Sequence, residues 1–336
     1  MLLVAFGATG YLVYRHMSNN IAQVNLAAYI GKQPADLHPQ AENLLIIGSG
    51  SAQGAAAGAA GASSQPGTLM LVHISGDKQW AEVMSIPPDS LGSMPSSPTA
   101  DAYRSASAQS KVNQAYATGN QATMHVGLGV ADTVKALERD TGIYVNHFIV
   151  VNSSGFKGMV GALGGVEERN LTAVDNPRAQ LVLTPAQALA YAHGLLGPGG
   201  ISGQARISLQ EALGASLIAR VRNDLSDPLA TYRFLDAFTR SLTIDSQLGG
   251  MTGLYHLAQV LHGLPAAKIA YFALPPSHLR THAMLSDATD APWTQPADSE
   301  IFASFRNDVQ VSQATLAAAD RLGKSGVLAS ARRATS

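Results

Sequence analysis

Short apolar runs separated by glycine and polar punctuation organise this chain. Residues 44–48, 68–74 and 80–86 are β-branched or apolar and predict buried strands. The turn Ser75-Gly76-Asp77-Lys78 makes the second and third of them an antiparallel pair. Residues 105–116 predict a helix. In 121–140, Met124, Leu128, Val134 and Leu137 recur at helical spacing, and Gly142 closes the element. A strand follows at 144–151, then a short helix opened by Ser153 or Ser154 and closed by Gly164. Thr184 opens the next helix, with Pro185 in its first turn. Beyond the glycine-rich loop 197–203, the pattern predicts a long helix over about 205–224, two more helices, a strand at 267–274 and a last helix at about 297–308. Strands alternating with helices, ending in a helical part, imply an α/β sandwich.

The first residues form a separate pattern. MLLVAFGATGYLVY is apolar or small throughout, and Arg15 is the first charge. Fourteen helical residues reach roughly 21 Å, less than the roughly 30 Å of a bilayer core. Residues 1–15 are therefore expected to be part of a transmembrane segment, 16–42 a juxtamembrane connector, 43–308 the extracytoplasmic domain and 309–336 a poorly ordered tail.

Charge changes the picture more than size does. The chain is 46% hydrophobic and 13% charged, with a net charge of −1 and no cysteine. That charged share is about half the globular average of about 25%. Nucleic-acid binding is not indicated, because no basic stripe is present. Disulfides and thiolate metal sites are excluded. Gly7 to Gly10 and Gly48 to Gly54 imitate dinucleotide-binding turns, but neither opens a βαβ unit with a terminal acid. His278 and His282 share i, i+4 spacing without the glutamate that zinc hydrolysis requires, in a proline-flanked stretch.

The order of segments carries further information. NLLIIGS, a long loop, TLMLVHISGD, EVMSIPPDS, KVNQAYA, GIYVNHFIVVNSSGFKGMVGALGGVE, ALAYAHG, ARISLQEALGASLIARV and WTQP resemble, in sequence and spacing, the LytR-CpsA-Psr cell-envelope family, and look closest to its actinobacterial members. The resemblance covers about residues 11–308. It implies an αβα sandwich with a central mixed sheet flanked by helices, carried on a single-pass membrane protein facing outward. It also implies a phosphotransferase that moves a glycopolymer from a polyprenyl-pyrophosphate carrier to peptidoglycan. In that family arginines hold the pyrophosphate, aspartates hold Mg²⁺, and an apolar tunnel holds the lipid. Phosphoryl transfer needs this positive charge because negative charge develops on the phosphate oxygens.

Here the charged positions are thinned. The loop between Asn43 and Gly76 has no Asp, Glu, Lys or Arg. The acid and arginine that the family places after Gly48-Ser49 are Gly50 and Ala52, and a second such pair is replaced by Gln65 and Gly67. Pro88 stands for an arginine, His193 for another, and Gly203 for an acid. By resemblance, Asp89 and Arg206 are the remaining catalytic candidates, with Asp89 the one candidate Mg²⁺ ligand. Lys111, Asn113, His193 and Gln210 are the substrate-binding candidates. Each lost charged phosphate contact costs about 1.5–3 kcal/mol. The expectation is a membrane-associated protein that binds polyprenyl-linked glycopolymer, or partners an active paralogue, with phosphotransfer lost or much reduced. The alternative is an active phosphotransferase. A transcriptional attenuator is a third reading, with no DNA-binding motif behind it.

Overall fold

The computed structural model describes residues 2–50, 68–86, 91–93, 109–111, 116, 126–169, 180–192, 228–274 and 296–319. The strands are β1 (Ala22–Val24), β2 (Glu42–Ser49), β3 (Thr68–Ile74), β4 (Ala81–Ile86), β5 (Leu91–Ser93), β6 (Gln109–Lys111), β7 (His147–Asn152), β8 (Val166–Arg169), β9 (Gln180–Leu183), β10 (Leu242–Asp245) and β11 (Ile269–Ala273). The helices are α1 (Leu2–Asn20), α2 (Ala27–Ile30), α3 (Val126–Thr141), α4 (Ser153–Ala162), α5 (Pro185–Ala192), α6 (Pro228–Ser241), α7 (Gly250–Gly263) and α8 (Pro296–Arg306).

Seven strands form one mixed sheet in the order β1-β10-β7-β2-β3-β4-β11. The β2–β7, β4–β11 and β1–β10 pairs are parallel, while β2–β3, β3–β4 and β7–β10 are antiparallel. Successive side chains point to opposite faces, and both faces are covered, which explains the nearly continuous apolar runs. Leu45, Ile47, Leu69, Leu71, Met84, Ile86 and Phe148 join α3 and α8 through Val134, Leu137, Ile301 and Phe305. Leu44, Val72, Ile74, Ile149 and Ile244 join α6 and α7 on the other face, through Phe238, Leu254 and Leu257. This is the expected αβα sandwich with a mixed central sheet.

The chain before residue 43 belongs to the sandwich. Met17, Ile21, Leu26 and Ile30 are buried, and β1 lies beside β10 at the sheet edge. The helix expected to end at residue 15 continues to Asn20, clamped by His16 Nε2 to Asp236 Oδ1 at 2.8 Å and by Asn20 Nδ2 donating to Thr239 Oγ1 at 3.1 Å. Among the described residues no helix is long and apolar enough to cross a membrane.

The far end also differs from expectation. Residues 313–319 are helical, and Val311, Thr315 and Ala319 are buried. The Val311 N–H donates to Glu82 Oε1 at 2.9 Å. The packed part thus continues past the boundary expected at 308.

Two local readings also change. Residues 109–111 are a strand, antiparallel to 91–93, where a helix was expected. A three-residue strand has no periodicity of its own, so its cross-strand partner, invisible in sequence, decides it. The short helix α4 is capped by Asn152 rather than Ser153 or Ser154, with Asn152 Oδ1 accepting from Gly155 N–H at 2.7 Å.

Candidate functional site

The sheet gathers the chemically interesting segments at one end. The strands β2, β4, β7 and β11 run in the same direction, so their carboxyl ends share an edge. At that edge β2 ends at Ser49 opposite Asn152, Gly48 faces Thr68, and Ile86 faces Leu69. Parallel strands commonly present ligand sites beyond their carboxyl ends. The positions around 50, 67 and 88, where the sequence reading expected charge to be missing, follow or precede strand ends at this edge in the chain.

Hydroxyls, an amide and backbone form the described part of the site. The Tyr116 side chain is 1% exposed, and burial pushes its phenol above the usual range, against a lowering influence of the Ser49 side chain. Ser153 Oγ donates to the Ser49 carbonyl at 2.8 Å. Asn152 Oδ1 also accepts from Ser154 Oγ at 2.8 Å, and its Nδ2 donates to the Ser241 carbonyl at 3.0 Å. One asparagine thereby fixes the start of α4 against the end of α6.

Gly50 is the decisive position. Its φ is +118°, a conformation that L side chains rarely adopt. A Cβ built there would lie 2.4 Å from Ser153 Oγ and 2.9 Å from Ser153 Cβ. A side chain at residue 50 would therefore be strained in its backbone angle and would have to displace the Ser153 side chain.

The sequence-derived candidates divide sharply. Lys111 is placed in β6, with its Cα opposite Leu91, two residues after Asp89 in the chain. Asp89, Asn113, His193, Arg206 and Gln210 lie outside the described residues. Among the described residues there is no cluster of three or more His, Asp or Glu side chains able to hold a metal. Mg²⁺ is ordinarily bound through carboxylate and water oxygens, and the described donors at this edge do not match that set. Sequence reasoning missed Tyr116 and Asn152 as organisers of the edge; the Asn-Ser-Ser start of α4 was the available signal for the second.

A second polar group lies at the opposite end of the sheet. Asn43, His73 and Glu82 are consecutive cross-strand neighbours on β2, β3 and β4. His73 is fully buried, between the rings of Trp80 and Phe305 at 5.1 and 5.2 Å. Its Nδ1 lies 2.8 Å from Asn43 Oδ1 and its Nε2 lies 3.0 Å from Asp308 Oδ1. Burial pushes the imidazole pKa down, outweighing the raising influence of Asp308. Burial raises the Glu82 carboxyl to about 7, against the lowering effect of the Val311 N–H. These residues serve the core.

Residues 13–294 match the model of the LytR_cpsA_psr family. The chain belongs to that family. A cell wall biosynthesis protein, LcpA of Corynebacterium glutamicum, is 28% identical over 227 residues, covering 62% of this chain and 42% of LcpA. A polyisoprenyl-teichoic acid–peptidoglycan teichoic acid transferase, TagU of Bacillus anthracis, is 25% identical over 203 residues, covering 57% of this chain and 58% of TagU. The matches thus span less than two thirds of either relative. Among solved structures, the LytR-Csp2A-Psr enzyme from Actinomyces oris aligns with a TM-score of 0.54 at 17% identity, covering 85% of this chain and 95% of that one. TagT bound to LI-WTA aligns at 0.56 and 17% identity, covering 85% and 99%. At such identities the likeness establishes the fold. This LytR_cpsA_psr chain has the family architecture.

Proposed function

We propose that this chain is a cell-envelope protein that binds a polyprenyl-(pyro)phosphate-linked glycopolymer intermediate, with phosphotransfer lost or much reduced. Its main domain would lie outside the cytoplasmic membrane, alone or beside an active paralogue. Relatives named for cell wall biosynthesis and for teichoic acid transfer to peptidoglycan support the substrate class. The observation that carries the loss of chemistry is Gly50, held at φ +118° against Ser153 where the family pattern has an acid. Catalysis of phosphoryl transfer is almost entirely positioning and electrostatic stabilisation. A site that replaces its acids and arginines with glycine, alanine and glutamine keeps shape but gives up the second of these.

The test is mass spectrometry of the purified chain for co-purifying polyprenyl phosphates, followed by turnover of a polyprenyl-pyrophosphate glycopolymer with and without Mg²⁺. Bound lipid without turnover is the expected result. Mg²⁺-dependent release of lipid phosphate, abolished by Asp89→Ala, would instead establish the active-phosphotransferase alternative. A folded chain carrying no lipid would remove the binding reading as well.

A further inference from the structure

A second surface lies where α1 meets α6 and α7. Asn20 reaches Thr239, while His16 reaches Asp236 and stacks with Tyr232 at 6.4 Å, so moving back along α1 also moves back along α6 toward Leu229. On the other side, a Cβ at Gly250 would meet Gln23 Nε2 at 3.3 Å, and the Tyr14 hydroxyl lies 3.4 Å from Thr252 Oγ1. Moving back along α1 therefore moves forward along α7, toward Tyr255. The large apolar residues at this end face outward: Tyr11 is 61% exposed, Leu12 64%, Leu229 55% and Tyr255 60%, with Tyr14 and Tyr232 also exposed. They form a collar around the helix whose sequence has no Asp, Glu, Lys or Arg before Arg15.

Two properties of the collar identify what it meets. Tyrosine is enriched where an apolar phase borders water, because its ring is apolar and its hydroxyl is not. The three helices carry three arginines, Arg15, Arg233 and Arg240, one carboxylate, Asp236, and no Lys or Glu. That carboxylate is already engaged by His16 at 2.8 Å and Arg240 at 3.1 Å. Within these three helices the remaining charge is positive, of the sign that an anionic headgroup layer attracts. We infer that the α1–α6–α7 collar docks on a bilayer bearing anionic lipids, seating Tyr11, Leu12, Leu229 and Tyr255 in the interface. This docking is independent of whether the carboxyl edge of the sheet holds polyprenyl phosphate.

The natural absence of cysteine makes the test direct. Single substitutions Leu229→Cys, Tyr255→Cys and, as a reference at an exposed position of strand β11, Tyr271→Cys are made in the full chain and spin-labelled. The probe is a vesicle of phosphatidylcholine and phosphatidylglycerol. On binding, the labels at 229 and 255 should gain collisions with oxygen and lose them with a water-soluble nickel chelate, while the label at 271 stays unchanged. Arg15→Gln and Arg233→Gln should each weaken vesicle binding about fivefold. Should either collar label unfold the protein, Tyr232→Cys on α6 replaces it. The inference is overturned if the chain binds vesicles with all three labels equally open to the chelate, which would leave α1 alone in the lipid. It is also overturned if the chain does not bind, or if the collar labels show spin–spin broadening without lipid, marking a contact between two copies.

Discussion

Asp308 Oδ1 sits 3.0 Å from His73 Nε2, and its other oxygen accepts the Gly76 N–H at 3.1 Å. One carboxylate thus ties the end of α8 to the β3 strand and to the turn leading into β4. It does so from a left-handed backbone, with φ +52°. Aspartate tolerates this conformation better than most residues.

Asp308→Ala should destabilise the fold by roughly 1–3 kcal/mol, because Nε2 of the buried imidazole and the Gly76 N–H lose their carboxylate partner. Asp308→Asn keeps an oxygen and the backbone preference, and should cost less. Urea denaturation of the three proteins at neutral pH compares them; equal midpoints for Asp308→Ala and the parent would mean the tie is idle.

Glu82 offers a pH-dependent test. Its ordinary value is 4.5, and burial raises it to about 7 in the folded protein. Between these values the folded chain keeps a proton that the unfolded chain has released, so stability falls as pH rises from 4.5 to about 7. The upper bound is about 3.4 kcal/mol, from the cost per pH unit. His73 acts in the opposite sense, since its lowered pKa reduces stability as pH falls. The difference between parent and Glu82→Gln isolates the carboxyl: the variant should be similar at pH 4.5 and more stable at pH 8. An unchanged difference across that range would place the Glu82 proton elsewhere.

Asn152 does two jobs with one side chain. Asn152→Ala should cost about 1 kcal/mol for the lost cap alone, and more because the carbonyls of Ser241 and Arg240 lose their Nδ2 donor. Asn152→Asp retains the cap but not those donations, so its thermal midpoint should fall between parent and alanine variant. A midpoint for Asn152→Asp below that of alanine would show that the carboxylate is repelled by the two carbonyls more than the cap is worth.

Gly50→Asp should not revive transfer. The left-handed angle and the Ser153 contact predict a loss of about 1–3 kcal/mol from backbone strain. Adding Ser153→Gly should recover part of that loss by removing the clash, while leaving the φ cost. Turnover of a polyprenyl-pyrophosphate glycopolymer by Gly50→Asp at parental stability would contradict this geometry.

The central strands were legible because burial on two faces leaves continuous apolar runs, as in Leu44–Ile47 and Leu69–Ile74. The β3–β4 turn was legible in its Ser-Gly-Asp-Lys chemistry, with Lys78 in the left-handed region at φ +56°. The β10 strand was not, because Leu242–Asp245 is four residues long and sits directly between a helix and a 3-10 turn. Residues 109–111 were misread as helix because nothing in Gln-Ser-Lys announces its partner at 91–93. The start of the expected tail, 309–319, was misread because its alanine and serine content hides Val311 and Ala319, which are buried in the core that α8 lines. At the site, the absence of charge between Asn43 and Gly76 was visible in the letters, but the angle of Gly50 and its closeness to Ser153 required coordinates. Asp89, Asn113, His193, Arg206 and Gln210 lie outside the described residues, so the fold alone bears on their segments.

The pairing of β1 with β10 joins residues 22–24 to 243–245. A chain emerging from the ribosome makes the first of these strands early and its neighbour some two hundred residues later. The hairpin of β3 and β4 can close locally, but the sheet edge cannot, since its loop-closure cost is met only when the distant strand exists. The amino-terminal segment therefore waits, with Ile21 and Met17 uncovered, until α6 and α7 have been synthesised. Any factor that holds this segment during synthesis or export acts on a pairing that cannot form until most of the chain exists.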